Sequence, residues 1–133
     1  MTLMQEARMG RLPARIVAAA GKEQMQPEKL AARVASGRAV VPGNVRREGQ
    51  ATGVGEGLSI KVNVNVGTSQ SLDLPEAEVK KALAAVSSGA DAVMDLSTGG
   101  DLDALRRKIL DAVSVLVGSV PIYNVVVKKD LTS

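Results

Sequence analysis

Valine alternates with polar residues along Leu58-Ser-Ile-Lys-Val-Asn-Val-Asn-Val66, so Val62, Val64 and Val66 share one face and Lys61, Asn63 and Asn65 the other. A period of two predicts a strand with an apolar and a polar side. Pro75 then opens a helical pattern through Val79, Leu83 and Val86, which Gly89 ends. Asp91 to Leu96 reads as a second strand, with Ser97-Thr-Gly-Gly100 as its turn. Asp101 to Val113 predicts a second helix that buries Leu102, Leu105, Ile109 and Val113. Leu116 to Val127 supplies a third strand, ending near Tyr123. Strands alternating with helices of this length argue for a parallel sheet with right-handed crossovers. In an open parallel sheet both faces are covered and strands read as apolar throughout. The polar side of the first strand therefore favours a barrel with helices outside, although one alternating strand also fits an antiparallel sheet.

The first half is less regular. Two helices are expected between Thr2 and Ser36. One carries Leu3, Met4, Ala7 and Arg8 and breaks at Gly10 to Pro13; the other opens at Pro27, runs through Leu30, Val34 and Ala35, and stops at Gly37. Ala39 to Val41 is a short apolar stretch stopped by Pro42-Gly43. Residues 43–57 read as a flexible connection. The run Gly53-Val-Gly55-Glu-Gly57 neither follows a clear strand nor opens a helix, as a dinucleotide fingerprint requires. The expected division is a helical lead-in and Gly-rich loop over 1–57, then strand–helix units over 58–133.

Composition narrows the chemistry. The 133 residues hold no Cys, His, Phe or Trp, and Tyr123 is the single aromatic residue. That excludes disulfides, imidazole acid–base chemistry, thiolate-held iron–sulfur clusters and the usual zinc sites within these residues. It also predicts a thin core of Val, Ala and Leu. Residues 1–50 carry nine Lys/Arg against four Asp/Glu, but apart from Arg46-Arg47 the cations stand singly and no aromatic residue lies among them to stack a base. A solvated surface is the expected reading, with no nucleic-acid partner. No apolar run approaches the ~18 residues of a membrane span, and no signal peptide is evident, so a cytoplasmic location is expected.

Three segments carry a family resemblance: Lys61-Val-Asn-Val-Asn-Val-Gly67, Ser88-Gly-Ala-Asp-Ala-Val-Met-Asp-Leu-Ser-Thr-Gly99 and Val117-Gly-Ser-Val-Pro-Ile-Tyr123. In order and spacing they resemble phosphomethylpyrimidine synthase, and Ala7-Arg8-x-Gly10 and Gly37-Arg-Ala-Val-Val-Pro42 are similar to that family's lead-in. The resemblance implies an α/β fold: a partial (β/α)8 barrel, about three parallel strands with crossover helices, preceded by a small helical lead-in. It implies conversion of aminoimidazole ribotide to hydroxymethylpyrimidine phosphate in thiamine biosynthesis, a carbon–carbon lyase reaction using S-adenosylmethionine, a four-iron four-sulfur cluster and zinc. It assigns substrate contact to Asn65, Met94 and Tyr123. Asn65 to Met94 spans 29 positions and Met94 to Tyr123 another 29, one strand-plus-helix unit each. The three side chains are therefore expected at one height on adjacent strands, near the carboxyl ends where barrel sites collect. Asp95 at a strand end fits either catalysis or a hydrogen bond to the turn. Ser97, Thr98, Gly99 and Gly100 before a helix N-terminus fit either anion binding or a capped turn.

The chain also departs from the family. The cluster-binding Cys motif is missing, as are the metal-site and active-site His, so no cofactor is expected on this chain alone and no radical activity. Pro42-Gly-Asn-Val-Arg-Arg47 replaces the family's Asn-His lead-in, and Val125 to Ser133 compress or replace the helix after the third strand. Three strands of eight leave an open sheet with an unpaired edge. A truncated product, an oligomer, or another polypeptide supplying the missing barrel half are the expected ways out. Two rival functions remain: hydroxybenzimidazole synthase of anaerobic cobalamin assembly, which uses the same ribotide, and a non-catalytic remnant or binding module.

Overall fold

The computed structural model describes residues 1–129. They form two compact units, Met1–Lys61 and a second beginning at Val62.

The first unit has three helices: α1 (Leu3–Arg8), α2 (Ala14–Lys22) and α3 (Pro27–Ala35). Thr2 starts α1 through a reciprocal cap, its hydroxyl accepting from the Gln5 N–H while the Gln5 carboxamide accepts from the Thr2 N–H. Pro27 opens α3 as expected. Helix α2 is an addition to the sequence reading, which placed a break at Gly10 to Pro13 and no helix between it and Pro27. It buries Ile16, Ala19 and Ala20 while Val17 is exposed. Ile16, Ala19 and Ala20 stand at helical spacing, so this inner face was present in the sequence pattern. Residues Ala39–Val40 (β1) pair antiparallel with Val54–Gly55 (β2), so the stretch read as flexible connection contains one strand of a small sheet. The core joins Ile16, Ala19, Ala20, Leu30, Ala31 and Val34 to Ala39 and Val41. Small side chains here let the helices approach closely and compensate for the lack of aromatic residues.

At the end of this unit the Glu23 carboxylate, 6% exposed, accepts from the Ser59 N–H (2.7 Å) and hydroxyl and pairs with Lys61 Nζ at 2.8 Å. Burial pushes its carboxyl up, but the Lys61 ammonium and the Ser59 donors outweigh that and hold it below the ordinary 4.5.

The second unit runs β3 (Asn63–Val66), α4 (Pro75–Ser87), β4 (Ala92–Asp95), α5 (Leu102–Ala112), β5 (Leu116–Ser119) and α6 (Pro121–Lys129). The three strands pair in parallel in the order β3-β4-β5. This is the expected α/β arrangement, an arc of a (β/α)8 barrel, and it leaves the antiparallel alternative unused. Val64, Val93 and Val117 lie level across the sheet. Val93 and Val117, with Val66, pack against Val79, Ala82 and Val86 of α4 and Leu105 and Ile109 of α5. Lys108 of α5 donates to Glu76 of α4, linking the two helices. Two expectations are corrected. Leu83 is 46% exposed, and Glu78 is buried on α4 instead. The third strand stops at Ser119, because Pro121 presets a helix and residues 121–129 continue it despite their β-branched content. A helix therefore does follow the third strand, where the sequence suggested one compressed or replaced; residues 130–133 lie outside the described residues. No helix among the described residues is long and apolar enough to cross a membrane.

The loops after β3 and β4 are stitched together. Thr68 N–H donates to Ser97 Oγ (3.1 Å), Thr68 Oγ1 donates to the Gly99 carbonyl (2.7 Å), and Thr98 N–H donates to the Thr68 carbonyl (2.9 Å). The approach is so close that a Cβ on Gly99 would lie 2.5 Å from the Ser69 carbonyl carbon.

Two predictions follow from these contacts. Gly99→Ala forces backbone apart and is expected to lose about 1–3 kcal/mol. Gly21→Ala, exposed in α2 with open space around it, gains about 0.5–1 kcal/mol. Urea midpoints of opposite sign check the pair. The Glu23 carboxyl is depressed in the folded chain, so its stabilisation is present above its ordinary 4.5 and is lost as pH falls through the lower folded value. Glu23→Gln is expected to cost about 1–2 kcal/mol at pH 7 and to flatten the acid limb of a stability-against-pH curve.

Candidate functional site

Alternation along the strands sorts the second unit's residues by face. Positions level with Val93 point at α4 and α5; the next positions point away from them. Asn65 of β3 is level with Met94 of β4, which is level with Gly118 of β5, so this row lies on the side without helices. Asn65 is exposed and its Oδ1 accepts from Asn63 Nδ2 at 3.2 Å. Met94 is half-buried and leans toward β5. A Cβ on Gly118 would meet its Cε at 2.8 Å and its Sδ at 2.9 Å, so the glycine makes room for the thioether.

Tyr123 is not the third member of that row. It stands in the first turn of α6, beyond the strand, and Gly118 takes the level position. The equal spacing of 29 residues mapped it to a strand because the chain turns into a helix four residues sooner than its β-branched residues imply. The phenol instead lines a pocket of about 290 Å³ with Gln70, Thr98, Val126 and Val127. Gln70 follows β3, Thr98 follows β4 and Tyr123 follows β5, so the pocket lies beyond the carboxyl ends of all three strands.

Below that pocket runs a buried polar network. The Asp95 carboxylate faces the helices and is 1% exposed. One of its oxygens accepts from Ser97 N–H (3.0 Å) and Ser97 Oγ (2.5 Å), and the other from Arg106 Nε at 3.1 Å. Of the two readings of Asp95, its contacts are those of the hydrogen bond to the turn. The Gly-Gly turn likewise has a capped helix: the Asp101 carboxylate accepts from the Ala104 N–H at 3.0 Å and occupies the α5 N-terminus. Glu78, a residue that sequence reasoning missed, reaches from α4 to accept from the Gly67 N–H at 2.7 Å. It pairs with Lys81 through its other oxygen. An acidic residue in a helix's first turns ordinarily complements the dipole from the surface, so its pattern gives no sign of burial. Arg106 and Asn124 were missed for a related reason: their partners are distant in sequence.

A sequence model described as the radical SAM ThiC family matches residues 2–132. The chain belongs to the radical SAM ThiC family. It is 53% identical over 130 residues to the phosphomethylpyrimidine synthase of Methanopyrus kandleri, covering 96% of this chain and 30% of the relative. It is 48% identical to phosphomethylpyrimidine synthase 2 of Methanothermobacter thermautotrophicus, covering 93% of the chain and 29% of that protein. It is 45% identical to the 5-hydroxybenzimidazole synthase of Geobacter metallireducens, covering 92% and 28%. The chain thus spans about 30% of the length of the curated relatives it matches.

The donor set does not suit the metal groups the resemblance implies. The sequence has no thiolate or imidazole, and no cluster of three or more carboxylates able to hold a metal occurs among the described residues. A thiolate-ligated cluster does not fit these residues, and no step through one is derived from them.

Removing the charge at the centre of the network exposes its structural weight. Asp95→Ala leaves Arg106 Nε and the Ser97 hydroxyl and N–H without their acceptor, and is expected to destabilise by about 2–4 kcal/mol. Thermal or urea unfolding measures it.

Proposed function

We propose that this chain is the early-barrel part of a phosphomethylpyrimidine synthase and supplies one side of the site for aminoimidazole ribotide. The observation that carries the reading is the direct register of Asn65 with Met94 on the helix-free side of a parallel sheet, whose carboxyl ends open on the Tyr123 pocket. In this reading the Asn65 carboxamide both donates to and accepts from the ribotide and so fixes its orientation. Met94 presents a soft apolar surface to the ring, in the space Gly118 leaves for it. In this reading Tyr123 and Thr98 would contribute the hydroxyl contacts of a pocket otherwise lined by Gln70, Val126 and Val127.

The family's radical chemistry is supplied by S-adenosylmethionine and its cluster when these are bound. Residues of this chain would bind and orient substrate, while the ligands of the metal groups come from sequence that the longer relatives have in addition. Further strands, from the rest of a longer chain or from another polypeptide, would form the far wall. A second reading, the hydroxybenzimidazole synthase branch, is supported by the Geobacter relative at 45% identity. It uses the same ribotide and asks the same of Asn65, Met94 and Tyr123.

Calorimetric titration with aminoimidazole ribotide tests the site. Saturable binding is expected, and Asn65→Ala should weaken it about tenfold, or about 1.4 kcal/mol. Absence of binding by the unaltered chain counts against a retained site and favours a non-catalytic remnant. Incubation with ribotide and S-adenosylmethionine is expected to yield no pyrimidine product from this chain alone.

A further inference from the structure

Three of the pocket-lining residues, Gln70, Thr98 and Tyr123, sit on three different segments of chain. Such a pocket keeps its shape only if those segments are held in step. Next to each lining residue in sequence is a member of one hydrogen-bonded series. Thr68, two residues before Gln70, donates its N–H to Ser97 Oγ. Ser97, adjacent to Thr98, donates to Asp95. Asp95 accepts from Arg106 Nε, and Arg106 Nη2 donates to Asn124 Oδ1 at 2.8 Å. Asn124 adjoins Tyr123, and its Nδ2 donates to Asp103 Oδ1 at 2.7 Å.

We propose that Arg106 and Asn124 are positioning residues that seat α6 and thereby set the Tyr123 wall of the pocket. Successive helix residues project about 100° apart, so Asn124 can grip α5 while Tyr123 turns to the pocket. Arg106 is suited to the junction because its planar fork offers separate donors to Asp95 and Asn124 at fixed geometry. Lys has no such fork. Asn124 uses its acceptor on Arg106 and its donor on Asp103, so both halves of the carboxamide are engaged. Asp103 is also close to Arg106 Nη1, at 3.6 Å, which ties the first turn of α5 into the same junction. As a route to ligand orientation, this rests on the ribotide reading given above; as a statement about the seat of α6, it does not.

Tyr123 is the only aromatic residue in the sequence, so the chain's ultraviolet fluorescence reports that wall alone. The test is acrylamide quenching of Tyr123 in the 133-residue chain, beside ribotide titration and far-ultraviolet unfolding. Asn124→Ala is expected to increase quenching and to weaken ribotide binding about tenfold, with the helical signal of the fold retained. Asn124→Asp keeps the acceptor for Arg106 but replaces the donor to Asp103 with a second carboxylate, so it too should increase quenching. Arg106→Lys should behave like Asn124→Ala in quenching. Val125→Ala, on the exposed side of the same helix, should change neither. Quenching unchanged by Asn124→Ala and Arg106→Lys overturns the proposal, as does an equal effect of Val125→Ala. If the unaltered chain binds no ribotide, the substrate reading fails, and the quenching comparison still decides the role of Arg106 and Asn124.

Discussion

A carboxylate buried on the helix side of a central strand has to be matched where it sits, and much of the second unit is arranged around how Asp95 is matched. Alternation along β4 fixes its direction: Val93 faces the helices, and so does the residue two positions later. At that position the chain has an acid, and burying it unpaired costs far more than any local packing returns. Its two oxygens therefore impose conditions on both sides. One takes the Ser97 N–H and hydroxyl and so fixes the turn after β4; the other takes Arg106 and fixes the rotation of α5. Through Ser97 the same charge reaches the loop after β3, where Gly99 permits backbone-to-backbone approach.

The first unit meets a different constraint. With no aromatic residues to bury, it gains area by bringing helices close over Ala19, Ala20 and Ala31 around Ile16, Leu30 and Val34. The Glu23 pair with Lys61 and Ser59 secures the chain as it leaves this core.

Legibility in the sequence followed the range of the determining contacts. Helices α3 and α4 announce themselves through Pro27 and Pro75 at their starts and Gly37 and Gly89 beyond their ends, α5 through the spacing of Leu102, Leu105 and Ile109, and β3 and β4 through their valines. The β3 strand is shorter than its alternating pattern, because only Asn63 to Val66 find a partner in β4. Helix α2 was legible in the spacing of Ile16, Ala19 and Ala20, and the Gly10 to Pro13 break that precedes it concealed it. Helix α6 was read as strand because Val125, Val126 and Val127 favour one; Pro121 and the Asn124 contact with Arg106 decide otherwise. Asn65 and Met94 were placed level by repeat length alone, since a parallel strand–helix unit has a nearly fixed span. Glu78 and Arg106 could not be located that way, as each is defined by a partner 11 residues distant whose position only the fold supplies.

The row Asn65–Met94–Gly118 also acts as an address. Among the described residues β3 and β5 each pair on one side only, and in a parallel sheet every added strand inherits the up–down alternation of its neighbour. Any strand that joined either edge in register would turn its level residue toward the same helix-free side, whatever polypeptide it came from. The surface that faces a ligand is therefore specified one rung at a time. The side chain chosen at that single level, a carboxamide, a thioether or nothing at all, determines how much room the next strand finds.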